Sequence, residues 1–167
     1  MWSSKKIPSS FLLTLILAIH VSCGFKPLHS QLKEKRNILG VLEIPEIAGK
    51  EGYHLREELI KRFGEPKQDA YLLHLTIETT KLNEVITPNN EITSYRLIMI
   101  ANYTIKTRDG REILPQQKSI ARTGFGSASN STGYKTQIAE EAANKRLAFK
   151  ISEEISTRLL ILSEKWL

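Results

Sequence analysis

Cys23, in the stretch HVSCGFKPLH (residues 20–29), is the one cysteine of this 167-residue chain. A thiol offers several chemistries. As a nucleophile it needs a neighbouring base and a lowered pKa, and its flanking residues supply neither. As a metal ligand it needs further Cys, His, Asp or Glu at ligand spacing, and His29, His54 and His74 stand at no such spacing. A single cysteine forms no internal disulfide. What remains is covalent attachment, set against the plain alternative of a buried free thiol.

The residues ahead of Cys23 favour attachment. Lys5 and Lys6 precede FLLTLILAI (Phe11 to Ile19), which is apolar apart from Thr14, and no acid occurs before the cysteine. A basic start, a short apolar run and small residues at the end describe a secretory leader. At about 1.5 Å per residue the run reaches about 14 Å, against about 30 Å of bilayer hydrocarbon. It is too short to span. The small residues running into the cysteine, VSC, resemble the lipobox of bacterial lipoproteins, with His20 where leucine is usual. That resemblance implies a leader removed at residues 1–22, a first residue Cys23 carrying acyl chains, and a lipid-tethered domain from 23 to 167. Several acyl chains anchor stably where one holds only marginally. By the same resemblance, Gly24 after the cysteine implies the outer membrane.

The chain carries a formal +6 charge. Removal of the leader takes Lys5 and Lys6 and leaves 22 basic against 18 acidic residues, a formal +4. This mild excess suits anionic headgroups or phosphorylated glycolipid better than duplex nucleic acid. The remaining length is one ordinary domain, able to bury a core without disulfides. Enzyme signatures are scarce: there is no G-x-S-x-G and no H-E-x-x-H. A carboxylate pair involving Glu78 or Glu84 would have to be assembled by the fold. The small-residue run GFGSASNSTG (124–133) lacks the third glycine and the lysine of a nucleotide loop, and reads as a surface loop, set against a mobile loop near a partner or ligand.

The elements that position these residues follow from periodicity. NILGVLEIPEI predicts a first strand over 38–44, stopped by Pro45. YHLREELIKRFG places Leu55, Leu59 and Phe63 at helical spacing, with Gly64 to end the helix. AYLLHLTIETT alternates as a strand with Leu73, Leu75 and Ile77 inward, and LNEVITPNNEITS (82–94) reads as a flexible excursion. SYRLIMIANYTIKT is a third strand with Leu97, Met99, Ala101, Tyr103 and Ile105 on one face. Asp109-Gly110 predicts a two-residue type I′ turn, and a fourth strand follows over 113–125, with Pro115 marking an edge. A long helix over 134–162 carries one stripe of Ala148, Ile151, Ile155, Leu159 and Leu162, and a second, rotated stripe of Ile138, Ala142 and Phe149. The order is β-α-β-β-β-α. The predicted fold is α+β, two amphipathic helices on one face of a mixed four-stranded sheet. The other face would present Arg96, Ile98, Ile100, Asn102 and Thr104.

Taken in order, CGFKPL after the leader, HLREELIKRFG, YRLIMIANYTI, DGREILP with Arg111, Ile113 and Pro115, and the long last helix resemble the LptE family of lipopolysaccharide-assembly lipoproteins. The resemblance covers nearly the whole chain after the leader. It implies a non-enzymatic plug within the outer-membrane β-barrel LptD that supports barrel assembly and helps deliver lipopolysaccharide to the outer leaflet. It implies no cofactor beyond acyl chains on Cys23, no metal and no nucleic acid, with the inner leaflet of the outer membrane met through the anchor. If the family's glycolipid contact carries over, the candidate residues are Lys118, Arg122 and Lys135, with Arg96 next. The alternative is a freestanding periplasmic lipid- or glycolipid-binding lipoprotein with no obligate barrel.

Overall fold

The computed structural model describes residues 38–88, 92–127 and 133–167; Cys23 and residues 1–22, expected to be a leader, lie outside them. Strand β1 (Leu42–Glu43) is followed by helix α1 (Lys50–Phe63), strands β2 (Tyr71–Ile86), β3 (Ile92–Lys106) and β4 (Glu112–Gly126), helix α2 (Gly133–Ile161) and a single turn, α3 (Ser163–Trp166). The sheet order is β1-β2-β3-β4. β1 pairs parallel to β2, and the other pairs are antiparallel. The predicted α+β architecture is the observed one, with α3 added. Among the described residues no helix is long and apolar enough to cross a membrane.

One face of the sheet and both long helices share a single core. Leu55, Leu59 and Phe63 of α1 are fully buried, as their spacing requires, and meet Leu73, Leu97, Met99, Ala101 and Ile105 of the sheet. Ala143, Leu147, Ala148, Ile151, Ile155 and Leu159 of α2 complete it. Gly64 ends α1 at φ 75°, a left-handed conformation that glycine adopts without strain, and its N–H donates to the Ile60 carbonyl at 2.8 Å. α3 folds back so that the Trp166 indole N–H reaches the Leu159 carbonyl at 3.0 Å.

Four sequence expectations are corrected. The strand over 38–44 shrinks to Leu42–Glu43, because the backbone just before it is spent elsewhere. The Gly40 N–H donates to the Phe63 carbonyl at 2.7 Å, and its carbonyl accepts from Lys67 N–H at 2.8 Å. The excursion over 82–94 is largely strand: β2 runs on to Ile86 and β3 begins at Ile92, with register irregularities between Asn83 and Ile86. The turn after β3 has three residues. Gly110 N–H bonds the Thr107 carbonyl at 3.0 Å and Thr107 N–H bonds the Arg111 carbonyl at 2.9 Å. Gly110 sits at φ 89°. A three-residue loop closed by a glycine of positive φ is a common solution for a hairpin. Finally, β4 ends at Gly126, one residue past its predicted end, so the start of the run read as a loop is strand, while 128–132 lie outside the described residues.

Candidate functional site

Because strand side chains alternate faces, the register fixes what the uncovered face of the sheet presents. Ile98 lies opposite Arg122, Ile100 opposite Ile120, and Asn102 opposite Lys118. On β2, Glu78 lies opposite Ile100 and Thr76 opposite Asn102. The centre of this face is therefore an isoleucine patch, Ile98, Ile100 and Ile120, of which Ile120 is 37% exposed. Exposed Lys118 and Arg122 stand on either side of Ile120. Four residues of strand separate them, about 14 Å at about 3.4 Å per residue. Glu78 is the acid nearest in register, two strands away from Ile120.

The edge of β4 adds further cations. α2 runs antiparallel to β4 and reaches its outward carbonyls: Arg146 Nη2 donates to Gly124 at 3.1 Å, Lys150 Nζ to Arg122 at 3.1 Å, and Arg158 Nη1 to Lys118 at 2.8 Å. The steps match because four helical residues rise about 6 Å and two strand residues about 6.8 Å. In this register position 154 meets Ile120, and it is a glutamate, an acceptor with nothing to donate. Glu154 instead pairs with Arg158 at 3.6 Å. Five cations thus border one strand, from Arg146 and Arg122 at one end to Lys118 and Arg158 at the other. Among the described residues no carboxylate pairs with Lys118 or Arg122. Cations beside an apolar patch fit an amphiphile with phosphate or carboxylate groups, through charge-assisted hydrogen bonds.

The sequence candidates divide. Lys118 and Arg122 share this face and edge. Arg96 is on the same face but forms an ion pair with Glu84, which engages both the cation and one of the two carboxylates weighed for catalysis. Lys135 stands in the exposed first turn of α2, eleven residues before Arg146 and so about 16 Å further along the helix, at the end away from Lys118. Arg146, Lys150 and Arg158 escaped the sequence reading, although their spacing of four and eight residues places them on one helix face. Among the described residues no group of three or more His, Cys, Asp or Glu forms a metal cluster.

A second polar assembly lies behind the sheet, on the helix side. Tyr95 and Phe125 stack with centroids 5.0 Å apart. Lys81 Nζ lies 4.4 Å and 5.2 Å from their centroids and 2.6 Å from Glu140 Oε2. Lys50–Glu141 at 3.0 Å and Asn144–Glu51 at 3.3 Å join α2 to α1 nearby. The first third of α2 is therefore clasped by charges, while its remainder is packed by apolar side chains. Its second stripe faces outward: Ile138 and Phe149 are each 50% exposed.

The family described as LptE, lipopolysaccharide-assembly, matches residues 40–159. Among solved structures, a lipoprotein from Caulobacter crescentus CB15 is 19% identical, with 78% of this chain and 96% of that one covered at a TM-score of 0.60. A minor lipoprotein from Acinetobacter baumannii is 15% identical, covering 75% and 95% at 0.54. Lipoprotein B from Nitrosomonas europaea is 9% identical, covering 74% and 82% at 0.55. At these identities the likeness is one of fold. No curated protein matches the chain.

Proposed function

The chain belongs to the LptE family of lipopolysaccharide-assembly proteins, and we propose that it acts as the lipid-tethered plug of the outer-membrane barrel LptD. In this reading Cys23 carries the acyl chains that hold residues 23–167 at the inner leaflet of the outer membrane. The domain supports assembly of the barrel and helps pass lipopolysaccharide to the outer leaflet. It performs no covalent chemistry.

The observation that carries the glycolipid part is the row of Lys118, Arg122, Arg146, Lys150 and Arg158 along one strand edge, bordering Ile98, Ile100 and Ile120. Phosphates of the glycolipid meet Lys118 and Arg122, and its apolar portion meets the isoleucines. Arg96 contributes less because Glu84 already holds it.

The test is to tag the C-terminus, solubilise native membranes in mild detergent and isolate what accompanies the chain. A large outer-membrane barrel at about 1:1 is the expected result. A chain that comes out alone, with bound lipid, overturns the plug reading in favour of a freestanding lipid-binding lipoprotein. Cys23→Ser is expected to abolish incorporation of labelled fatty acid into the chain.

A further inference from the structure

The uncovered face of the sheet changes character along its length. Beyond Ile100, toward Lys106, it turns concave, in a pocket of about 240 Å³ lined by His74, Thr76, Asn102, Lys106, Glu112 and Gln116. A β-bulge underlies it. Tyr103 pairs with Gln117 and Ile105 with Leu114, so Thr104 alone lies opposite both Pro115 and Gln116. An extra residue of this kind bends its strand and re-aims its side chains, and Pro115, with no N–H to pair, suits the position. Thr104 forms the floor, buried, with its hydroxyl donating to the Leu114 carbonyl at 2.7 Å.

The lining is polar and unpaired. Among the described residues none of those six side chains makes a hydrogen bond or an ion pair. Lys106 and Glu112 stand opposite each other in register and still form no ion pair, whereas Arg96 on the same face is held by Glu84. Together the six offer amide, hydroxyl, imidazole, ammonium and carboxylate groups, a mixture of donors and acceptors. An anion would meet Glu112 and a cation Lys106, and an apolar group would strip water from polar side chains without replacing it. A ring bearing several hydroxyls, each both donor and acceptor, satisfies the mixture. The volume is below the range of about 300–1,000 Å³ that encloses a drug-sized ligand, so the pocket takes one sugar ring and not a whole amphiphile.

We propose that this pocket is a saccharide subsite that takes a sugar ring of the phosphorylated glycolipid. This rests on the glycolipid reading above and adds to it a point of recognition for the sugar itself. Along β3 and β4 the same face presents, in order, the pocket, Lys118 opposite Asn102, Ile120 opposite Ile100, and Arg122 opposite Ile98. Each step of two residues is about 6.8 Å. A sugar seated in the pocket therefore carries its phosphate to Lys118 and its acyl chain onward over the isoleucines. Glu78, opposite Ile100 on β2, repels the phosphate toward the β4 side, where Lys118 stands.

The experiment separates sugar from phosphate. The full chain is immobilised in an amine oxide detergent, which has no sugar headgroup to compete. It is offered either an acylated diphosphoryl disaccharide lipid or cardiolipin, which carries phosphates and acyl chains on glycerol and no sugar ring. Retained lipid is quantified by mass spectrometry. The wild type is expected to retain the disaccharide lipid about tenfold better, as a few additional hydrogen bonds would give. Thr76→Val with Gln116→Leu, near-isosteric changes at exposed positions, should remove that preference and leave cardiolipin unchanged. His74→Ala, also at an exposed position, should lower the disaccharide lipid selectively as well. If the wild type holds both lipids alike, or neither variant lowers the disaccharide lipid selectively, the saccharide subsite is overturned while the phosphate reading stands. If the wild type retains neither lipid, both fall.

Discussion

Arg158 Nη1 lies 2.8 Å from the Lys118 carbonyl oxygen, so that a helix side chain caps the open edge of a strand. Lys150 does the same for the Arg122 carbonyl. Exposed strand edges template association with other chains, and charged side chains laid across them are a common protection. The double variant Arg158→Met, Lys150→Met is expected to lose about 1–2 kcal/mol, from two exposed charge-assisted bonds. It should also self-associate as concentration rises. Sedimentation velocity beside a thermal melt checks both, and a variant that stays monomeric would show that the cations do not guard the edge.

Glycolipid retention should depend on residues by place and not by charge alone. Lys118→Ala and Arg122→Ala together are expected to lower retention of a diphosphorylated glycolipid about tenfold or more, with a shallower dependence on salt. Lys135→Glu, an equal change of two charges beyond the other end of the strip, should change it less than twofold. Equal effects from the two would mean that net charge, and not the β4 face, governs binding.

Much of this arrangement was legible in the sequence where one face is wet and the other dry. Leu55, Leu59 and Phe63 on α1, and Leu97, Met99 and Ala101 on β3, showed their buried faces through spacing alone. The far end of β2 did not, because every residue from Glu78 to Ile86 is exposed. Without a buried face the two-residue period vanishes, and hydrogen bonding to β3 sustains the strand. At residues 38–41 the failure was opposite. Ile38 is buried and apolar like a strand residue, yet its neighbours' backbone groups serve the end of α1. The site itself was half visible: Lys118 and Arg122 follow from strand alternation, but their meeting with Arg146, Lys150 and Arg158 depends on how a helix settles against an edge.

The two stripes of α2 make opposite predictions for stability. Leu147→Ala, at a fully buried position, is expected to cost about 2–5 kcal/mol through lost burial and a cavity. Phe149→Ala removes a half-exposed ring under the Arg62 guanidinium, 4.9 Å from its centroid, and should cost about 1 kcal/mol or less. Urea unfolding of the two variants decides it. A large loss from Phe149→Ala would mean that the outward stripe is packed.

Lys81 holds the start of α2 through Glu140 and two aromatic rings. Lys81→Met keeps the hydrocarbon stem and removes the charge, at an expected cost of about 1 kcal/mol for this partly exposed group. The more specific readout is amide exchange. Exchange should quicken over residues 136–142 and stay slow over 147–159, where apolar packing holds the helix. Uniform quickening along α2 would contradict a local clasp.

Burial raises the pKa of the Tyr103 phenol above its ordinary value, against smaller opposing effects from Ser119 and Arg158. The unfolded chain therefore ionises this group first as pH rises. Its contribution to stability is intact below about pH 10, the ordinary phenol range, and is lost as pH climbs toward the folded value. Tyr103→Phe should flatten the alkaline fall in stability, with little change at pH 7. An unaltered alkaline limb would place the cause elsewhere.

The match between four residues of helix and two of strand also sets a rule for insertions and deletions. Removing one residue from α2 between Arg146 and Arg158 rotates everything beyond it by about 100°. Arg158 would leave the Lys118 carbonyl. Removing four restores the phase and moves the contacts along by one rung, so that a different side chain meets each carbonyl. This stretch of the gene can change length only in whole turns of helix, and each such change rewrites which cation guards which rung.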